Sequence, residues 1–225
     1  MFANCDNLTS FTSDLSSLTN GRGMFSSTSL TSFSGDLSSL VYGSNMFSGC
    51  TSLKSFNGDL SNLVDGWAMF SYSSSLKSFN GDLSSLTNGE YMFNSTSLTS
   101  FSGDLSSLTN GTSMFANTPL TSFDGDLSSL VNGDYMFYST DLTSFEVDDL
   151  SNLKTANGMF NVNGVLNFDS IKNIFNALKN NLNEFELKLI ANSNDISRLE
   201  SELGVINGVK MINNITCTFT YRTIS

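Results

Sequence analysis

Large apolar side chains recur at fixed positions in a unit of 22–23 residues that fills the first two thirds of the chain. Each unit opens with a Met-Phe pair, and the pairs begin at Met1, Met24, Met46, Met69, Met92, Met114, Met136 and Met159. Between pairs, a Leu, a Phe and two more Leu residues alternate with Ser, Thr, Asn and Gly. A fixed period of this length is typical of a solenoid, in which one short unit stacks on its neighbours. The pattern predicts seven stacked copies.

The copy that begins at Met92 shows what one unit contains. Residues 98–101, Leu-Thr-Ser-Phe, predict a short parallel strand, because Thr is a good strand former and Leu and Phe supply buried anchors. Asp104 precedes Leu-Ser-Ser-Leu and predicts the cap of a short helical turn. Asn110-Gly111 predicts a turn in which the glycine takes a positive φ.

The repeat pattern breaks after Met159-Phe160, where a helical pattern follows. Residues 169–182 predict an amphipathic helix with Asp169 as its cap. Its apolar face is formed by Ile171, Ile174, Phe175, Leu178 and Leu182.

Three further elements are predicted after this helix: a strand over 185–191, a short helix over 194–204 and a strand over 215–221. Gly204 is expected to close the second helix. We therefore divide the chain into a solenoid over 1–160 and an α/β capping segment over 161–225. The simplest role of the capping segment is to seal the hydrophobic end of the solenoid. The alternative is a docking domain for an anchor or a neighbouring subunit.

The charge balance narrows the possible partners. The chain has 10 basic and 21 acidic side chains, a formal charge of −11. Nucleic acid and anionic membrane surfaces need a positive footprint, so neither is expected as a partner. No apolar run approaches the roughly 18–20 residues that span a bilayer. Because Met1 already begins a repeat, we expect a neighbouring subunit or an N-terminal segment to cover the first copy.

The three cysteines do not form a disulfide framework. Cys5 and Cys50 occupy the column that Thr fills in other copies, two copies apart. Stacking separates them by about 9–10 Å, beyond the roughly 7 Å that a disulfide allows between alpha carbons. They are expected to be small, half-buried replacements for Thr.

The repeat resembles a known family. The unit M-F-x(4–5)-L-T-S-F-x-G-D-L-S-S-L-x-N-G-x-Y, most clearly at 89–93, 133–137 and 48–53, is similar to the BspA-like leucine-rich repeats of bacterial surface proteins. The resemblance covers roughly residues 1–160, although the Gly-Asp-Leu-Ser segment departs from the family and the usual isoleucine-proline strand end is lacking. It implies a right-handed parallel solenoid of leucine-rich-repeat type. It also implies an adhesin or binding scaffold without catalytic activity.

Catalysis is not expected from the residues themselves. The chain has no histidine, which removes the commonest general base and metal ligand. The Gly-Asp-Leu-Ser segment recurs in the copies, whereas a catalytic residue would not be repeated in this way. We therefore predict a protein that is not an enzyme.

One aspartate column has two interpretations. It consists of Asp14, Asp36, Asp59, Asp82, Asp104, Asp126 and Asp149. Stacked carboxylates repel unless compensated, so each Asp either caps the turn that follows it or shares a ladder of calcium ions. Capping is the preferred interpretation, because the calcium-binding Gly-Gly-x-Gly-x-Asp spacing is lacking. No other cofactor is indicated.

Two sets of residues are candidate ligand contacts. Trp67, Tyr91 and Tyr135 lie just before Met-Phe pairs, where they would stack on a protein or glycan ligand or else pack on adjacent turns. Lys54 and Lys77 would form a local basic spot in the strand row, or belong to a solvated sheet face.

The leading functional hypothesis is a recognition or adhesion module on a bacterial cell surface, which binds protein or glycan through a rigid repeat face. The alternative is a component of a phage virion, such as a tail fibre, receptor-binding or decoration protein, because related repeats also occur in phage structural proteins.

Overall fold

A stack of parallel coils forms most of the protein, for which a computed structural model describes residues 2–223. Met1, where the first predicted copy begins, lies outside these residues. Six short strands pair in parallel, Ser with Ser and Phe with Phe, in two three-stranded sheets. They are β1 (Ser32–Phe33), β2 (Ser55–Phe56), β3 (Ser78–Phe79), β4 (Ser100–Asp104), β5 (Ser122–Asp126) and β6 (Ser144–Glu146). The predicted repeat solenoid is confirmed, although β4 begins two residues later than 98–101.

A second ladder of hydrogen bonds joins the turns that contain the Met-Phe pairs. Along each turn, every second backbone N–H donates to a carbonyl of the copy that follows. In one such pair of copies, the N–H of Tyr91 donates to the carbonyl of Thr112 at 3.0 Å, and that of Phe93 to Met114 at 2.9 Å. The turns are therefore fixed by backbone pairing between copies as well as by their side chains.

Two interleaved columns of phenylalanine rings fill the centre of the stack. One column comes from the Met-Phe pairs and the other from the strands. Phe115, which is fully buried, lies 5.4 and 5.7 Å from the rings before and after it in its own column. Two strand rings, Phe101 and Phe123, meet it at steep angles, 5.0 and 5.7 Å away. Stacked and edge-on pairs are the favoured aromatic geometries, so the repeat period builds a continuous core.

The predicted caps are confirmed along the aspartate column. In the fifth copy the N–H of Ser106 donates to Asp104 Oδ1 at 2.8 Å, and the corresponding bond recurs at Asp14, Asp36, Asp59, Asp82, Asp126 and Asp149. The expected short helical turn is a single hydrogen-bonded turn, closed by the N–H of Leu108 on the carbonyl of Leu105 at 2.8 Å.

Gly111 is needed for a different reason from the one predicted. Its φ is not positive; the left-handed residue in this turn is Ser113, with a φ of 53°. A Cβ on Gly111 would lie 3.0 Å from Met136 Sδ and 3.2 Å from Leu130 Cδ1. The glycine therefore allows core side chains of the next two copies to pack against the backbone.

The cysteines are free, as predicted, but Cys50 is fully rather than half buried. It lies in the column of small side chains that bond to the carbonyl of a Met-Phe phenylalanine. Cys50 Sγ lies 3.1 Å from the carbonyl of Phe25, and Thr118 Oγ1 donates to that of Phe115 at 2.7 Å. Exposed Cys5 begins this column in the first copy.

An α/β segment follows the repeats, as predicted. Its elements are helix α1 (Phe168–Leu178), strand β7 (Glu186–Asn192), a 3₁₀ turn (Ser193–Asp195), helix α2 (Ile196–Leu203), and strands β8 (Val209–Ile212) and β9 (Ile215–Arg222). The three strands form one sheet in the order β7-β9-β8. Gly204 closes α2 with a φ of 65°, as expected. Strand β8 was not predicted from the sequence.

The first helix differs from its prediction at both ends. Asn167, not Asp169, is the N-cap, and its side chain accepts from the N–H of Ser170. The helix ends at Leu178 rather than at residue 182, and Leu182 is 76% exposed instead of belonging to the buried face. Asn181 lies in the segment that follows the helix, and its side chain hydrogen-bonds to carbonyls of the last repeat.

The capping segment contacts one end of the stack by hydrogen bonds as well as by packing. On β6, the N–H of Phe145 donates to Ser170 Oγ at 2.8 Å, and that of Val147 donates to Asn173 Oδ1 at 2.9 Å. Two backbone N–H groups on the open edge of β6 are thus paired with side chains of α1. Within residues 2–223 no helix has the length and apolarity to cross a membrane. The division at residue 160 and a cover over the first copy stay predictions.

Candidate functional site

The repeats serve as their own control, because a residue that departs from the shared pattern stands out against its neighbours. The position two residues before each Met varies most, and its occupants are Arg22, Ser44, Trp67, Glu90, Thr112, Asp134 and Asn157. We call the surface formed by these residues and the Met-Phe turns after them the turn face. Its variable residues include Trp67, the only tryptophan of the chain.

Three tyrosines of the turn face occupy left-handed backbone positions. The φ angles of Tyr72, Tyr91 and Tyr135 are 60°, 57° and 57°, in columns where other copies have Gly, Asn, Ser or Ala. A left-handed conformation costs an ordinary residue roughly 1–2 kcal/mol. The three side chains are nevertheless 63%, 38% and 47% exposed. Because both columns are left-handed in every copy, the repeat turn imposes this conformation and presents the three tyrosine side chains to solvent.

A polar groove crosses the turn face beside Trp67. It is lined by Arg22, Ser44, Asn45, Asp65, Trp67 and Asn88, with a volume of about 450 Å³. Asp65 Oδ2 accepts from Arg22 Nη2 and Ser44 Oγ, both at 2.9 Å. Asp65 Oδ1 accepts from Asn88 Nδ2 at 3.0 Å and from the N–H of Trp67 at 3.2 Å. Four donors on one carboxylate fix the groove's polar side chains in place.

These contacts set the charge of the groove. Partial burial alone would raise the pKa of Asp65, but the hydrogen bonds from Ser44, the Trp67 N–H, Arg22 and Asn88 together outweigh it and hold the pKa below its ordinary value. Asp65 therefore stays ionised, and the guanidinium of Arg22 also lies 5.1 Å from the ring centre of Tyr42.

A titration of stability tests the Asp65 network. Because the folded-state pKa lies below 3.8, the carboxylate's contribution is complete above the unfolded value and is lost as the pH falls through the folded one. We expect the free energy of unfolding of the wild type to fall more steeply than that of Asp65→Asn below pH 3.8. Denaturant unfolding at a series of pH values measures this, and parallel profiles for the two proteins would contradict the network.

An aromatic groove adjoins the polar one. It is lined by Asn45, Ser48, Trp67, Ala68, Ser71, Tyr72, Tyr91 and Asn94, with a volume of about 260 Å³. Trp67 and Asn45 line both grooves, so the two grooves lie side by side between Arg22 and Asn94, and we call the pair the depression. Trp67 is 38% exposed at their junction. The depression combines large aromatic faces with carboxamides and hydroxyls, which suits a ligand with both apolar and hydrogen-bonding groups.

The five residues predicted as ligand contacts do not lie together. Trp67 and Tyr91 share the aromatic groove. Tyr135 lies further along the turn face, where its ring packs over Gly158, and a Cβ on that glycine would be 2.8 Å from it. Lys54 and Lys77 are exposed neighbours at the starts of β2 and β3, with the N–H of Lys77 on the carbonyl of Lys54 at 3.0 Å. The two lysines line neither groove.

Sequence reasoning missed Asp65 and Asn88 as groove residues and did not connect Arg22 with them. Asp65 replaces the asparagine that most copies have in its column. This change from a neutral to a charged side chain is the feature of the sequence that could have identified the site. Arg22 and Asp65 lie 43 positions apart, so their pairing depends on a long side chain reaching across an intervening copy.

The aspartate column lies along the caps of the short turns. Each aspartate uses Oδ1 to cap its turn, and hydrogen bonds from the Ser106 side chain and backbone lower the pKa of Asp104. In the part of the chain that the structure describes, no group of three or more Asp, Glu or Cys side chains is placed to hold a metal ion. Calcium binding stays an untested alternative.

Comparison with known proteins identifies the repeats. A family model described as "BspA type Leucine rich repeat region" matches the chain with six copies, over residues 1–81, 66–163 and 87–217. These segments cover most of the chain and extend past the last Met-Phe pair into the capping segment. No curated protein and no solved structure matches the chain.

Proposed function

Because this chain belongs to the BspA-type leucine-rich repeat family, we propose that it is a protein-binding module displayed on a bacterial cell surface, and that it binds through the turn face. The observation that carries this proposal is the joined polar and aromatic depression around Trp67. Four residues whose type departs from the repeat, Arg22, Asp65, Trp67 and Tyr91, border this depression.

The composition of the depression favours a protein ligand. Trp, Tyr and Arg dominate the energetics of protein interfaces, and Trp67, Tyr72, Tyr91 and Arg22 all border it. Around them lie Ser and Asn, as in antibody combining sites, where rigid aromatic anchors are combined with adaptable hydrogen-bonding groups. The turns beneath are held by backbone bonds between copies, so little conformational entropy is lost on binding.

Binding without catalysis is the chemistry that these residues support. The chain has no histidine, and the two buried thiols are poor nucleophiles. Burial raises the pKa of Cys50, and raises that of Cys217 to about 12, so neither forms a thiolate at neutral pH.

Selection against a random peptide library displayed on phage tests the turn face. We expect the wild-type chain to enrich peptides whose affinity falls at least about tenfold for Trp67→Ala, since interface aromatics of this kind are frequent hot spots. The matched control is Lys77→Ala on the exposed strand side, which is expected to keep the wild-type affinity. Binding that is lost in Lys77→Ala and kept in Trp67→Ala would contradict the proposal.

A glycan ligand is a separate outcome of the same design. Stacking of sugar rings on Trp67 and Tyr91 would use the same depression. If the wild-type chain enriches no peptide but is retarded on an immobilised neutral oligosaccharide, the ligand class proposed is wrong and a glycan replaces the protein.

Surface display requires its own test. An antibody against this chain is expected to label intact cells of the source bacterium without permeabilisation. Labelling that appears only on phage particles would favour the virion alternative instead.

A further inference from the structure

The hydrogen-bond ladder that joins the Met-Phe turns ends at the last turn, where its backbone N–H donors have no acceptor among the described residues. In the preceding turn, the N–H groups of Gly133, Tyr135, Phe137 and Ser139 donate to carbonyls of the last turn. The N···O distance is 2.8 Å for Tyr135 and 3.1 Å for Phe137. The equivalent donors of the last turn are Ala156, Gly158, Phe160 and Val162. No described residue accepts a backbone hydrogen bond from any of these four N–H groups.

A groove borders this row where the last turn meets the capping segment. Its volume is about 450 Å³, and its lining includes Gly158 and Phe160 on the repeat side and Glu186, Lys188 and Arg222 on the other. We call it the cap groove. Ala156, Phe160 and Val162 are buried, and buried backbone N–H groups in proteins are almost always paired, so these open donors point to a partner that supplies carbonyls.

Strand β7 presents a second open edge to the same groove. The carbonyl of Phe185 accepts from Thr216 at the start of β9, so the backbone groups of Glu186 and Lys188 point away from β9 by strand alternation. On that outer side, the carbonyl of Ile190 accepts a hydrogen bond from the N–H of Leu166 at 2.9 Å. No described residue forms a backbone bond there with Glu186 or Lys188. An unpaired strand edge is a template for an added strand.

From these two edges we infer that the cap groove is a second binding site, which takes an acidic peptide segment of a partner protein. Alternate carbonyls of the segment continue the turn ladder on Gly158 and Phe160, and its other side lies along β7, as in strand addition. This site is separate from the depression around Trp67 and does not depend on it.

Charge favours an acidic residue in the segment. Lys188 forms no salt bridge within the described residues, although the chain's formal charge is −11. Arg222 is anchored by Nη1, which donates to the carbonyl of Asn163 at 2.8 Å. The charged side chains that line the groove are therefore Lys188, Arg222 and Glu186, which gives it a net positive charge.

Hydrogen exchange measured by mass spectrometry tests the inference. In the free chain, amides of residues 156–162 are expected to exchange faster than those of the interior turn 110–116. The probe is a synthetic peptide with the sequence of residues 132–140, Asn-Gly-Asp-Tyr-Met-Phe-Tyr-Ser-Thr, because this kind of turn supplies the acceptors inside the stack. Adding it is expected to protect 156–162 and leave 110–116 unchanged.

Matched variants separate the site from general effects. Lys188→Glu is expected to lower the affinity for the peptide about fivefold, the order expected for a partly exposed charge contact. Lys172→Glu, an exposed position on α1, is expected to bind the peptide with the wild-type affinity. The inference is overturned if 156–162 is as protected in the free chain as 110–116, or if the peptide protects nothing. It is also overturned if protection rises with the concentration of the chain alone, because the occupant is then a second copy.

Discussion

Phe115→Ala is expected to lower the free energy of unfolding by about 3–5 kcal/mol, as large-to-small changes of buried aromatic residues do. Phe115 is fully buried in the centre of the stack. Its ring contacts four others, Phe93, Phe101, Phe123 and Phe137. Neighbouring copies on both sides are paired through backbone ladders, so the cavity cannot easily collapse. Denaturant unfolding monitored by circular dichroism measures the loss.

The control is a Phe→Ala change in the first copy, in the column of strand rings. Phe11 is only partly buried and contacts two rings, Phe2 and Phe25. Phe11→Ala is therefore expected to cost clearly less than Phe115→Ala. Equal losses at the two positions would contradict a core that is built by stacking.

Asn181→Ala is expected to destabilise the protein by about 3 kcal/mol. Asn181 is fully buried, and its Nδ2 donates to the carbonyls of Leu150 and Leu153, both at 2.8 Å. Its Oδ1 accepts from the N–H of Asn183 at 2.8 Å. The change removes three hydrogen bonds, each with a net contribution of about 0.5–1.5 kcal/mol, which together give about 3 kcal/mol. The same unfolding measurement gives the value.

Asn176→Ala provides the comparison, because Asn176 is exposed on α1 and close in sequence. It is expected to change stability by less than about 0.5 kcal/mol, as surface substitutions usually do. If Asn181→Ala proves as mild as Asn176→Ala, the capping segment is not held to the last repeat by this side chain.

The period of the sequence was sufficient to predict the stack, because each copy repeats the same local physics. Two parts of that physics could be read directly: the Phe residues that form the core columns and the aspartates that cap the turns. The role of Gly111 could not be predicted, since it depends on contact with Met136, two copies further on, rather than on the glycine's own φ.

The capping segment was less predictable because it has no repeat. The helix over 169–182 was extended too far, since the apolar pattern continues to Leu182 while the fold uses Asn181 to bond to the last copy. Strand β8 is half exposed at a sheet edge and its periodicity is weak over four residues.

The candidate site was predictable only in part. Trp67 and Tyr91 were found because their type departs from the repeat, and they do share a groove. The carboxylate network of Asp65 was not found, because it requires four donors from separate positions to converge. Lys54 and Lys77 were also predicted, because they occupy the same column in neighbouring copies, but they lie outside both grooves.

Hydroxyl-radical footprinting of the wild-type chain with a peptide selected from the phage library tests the central claim most directly, because it reports the exposure of individual side chains. The turn-face account predicts that Trp67, Tyr72 and Tyr91 lose reactivity in the complex, while Tyr138 and Lys77 keep theirs. Unchanged reactivity of Trp67 and Tyr91, with protection at Lys77, would place the ligand on the strand side and contradict the account.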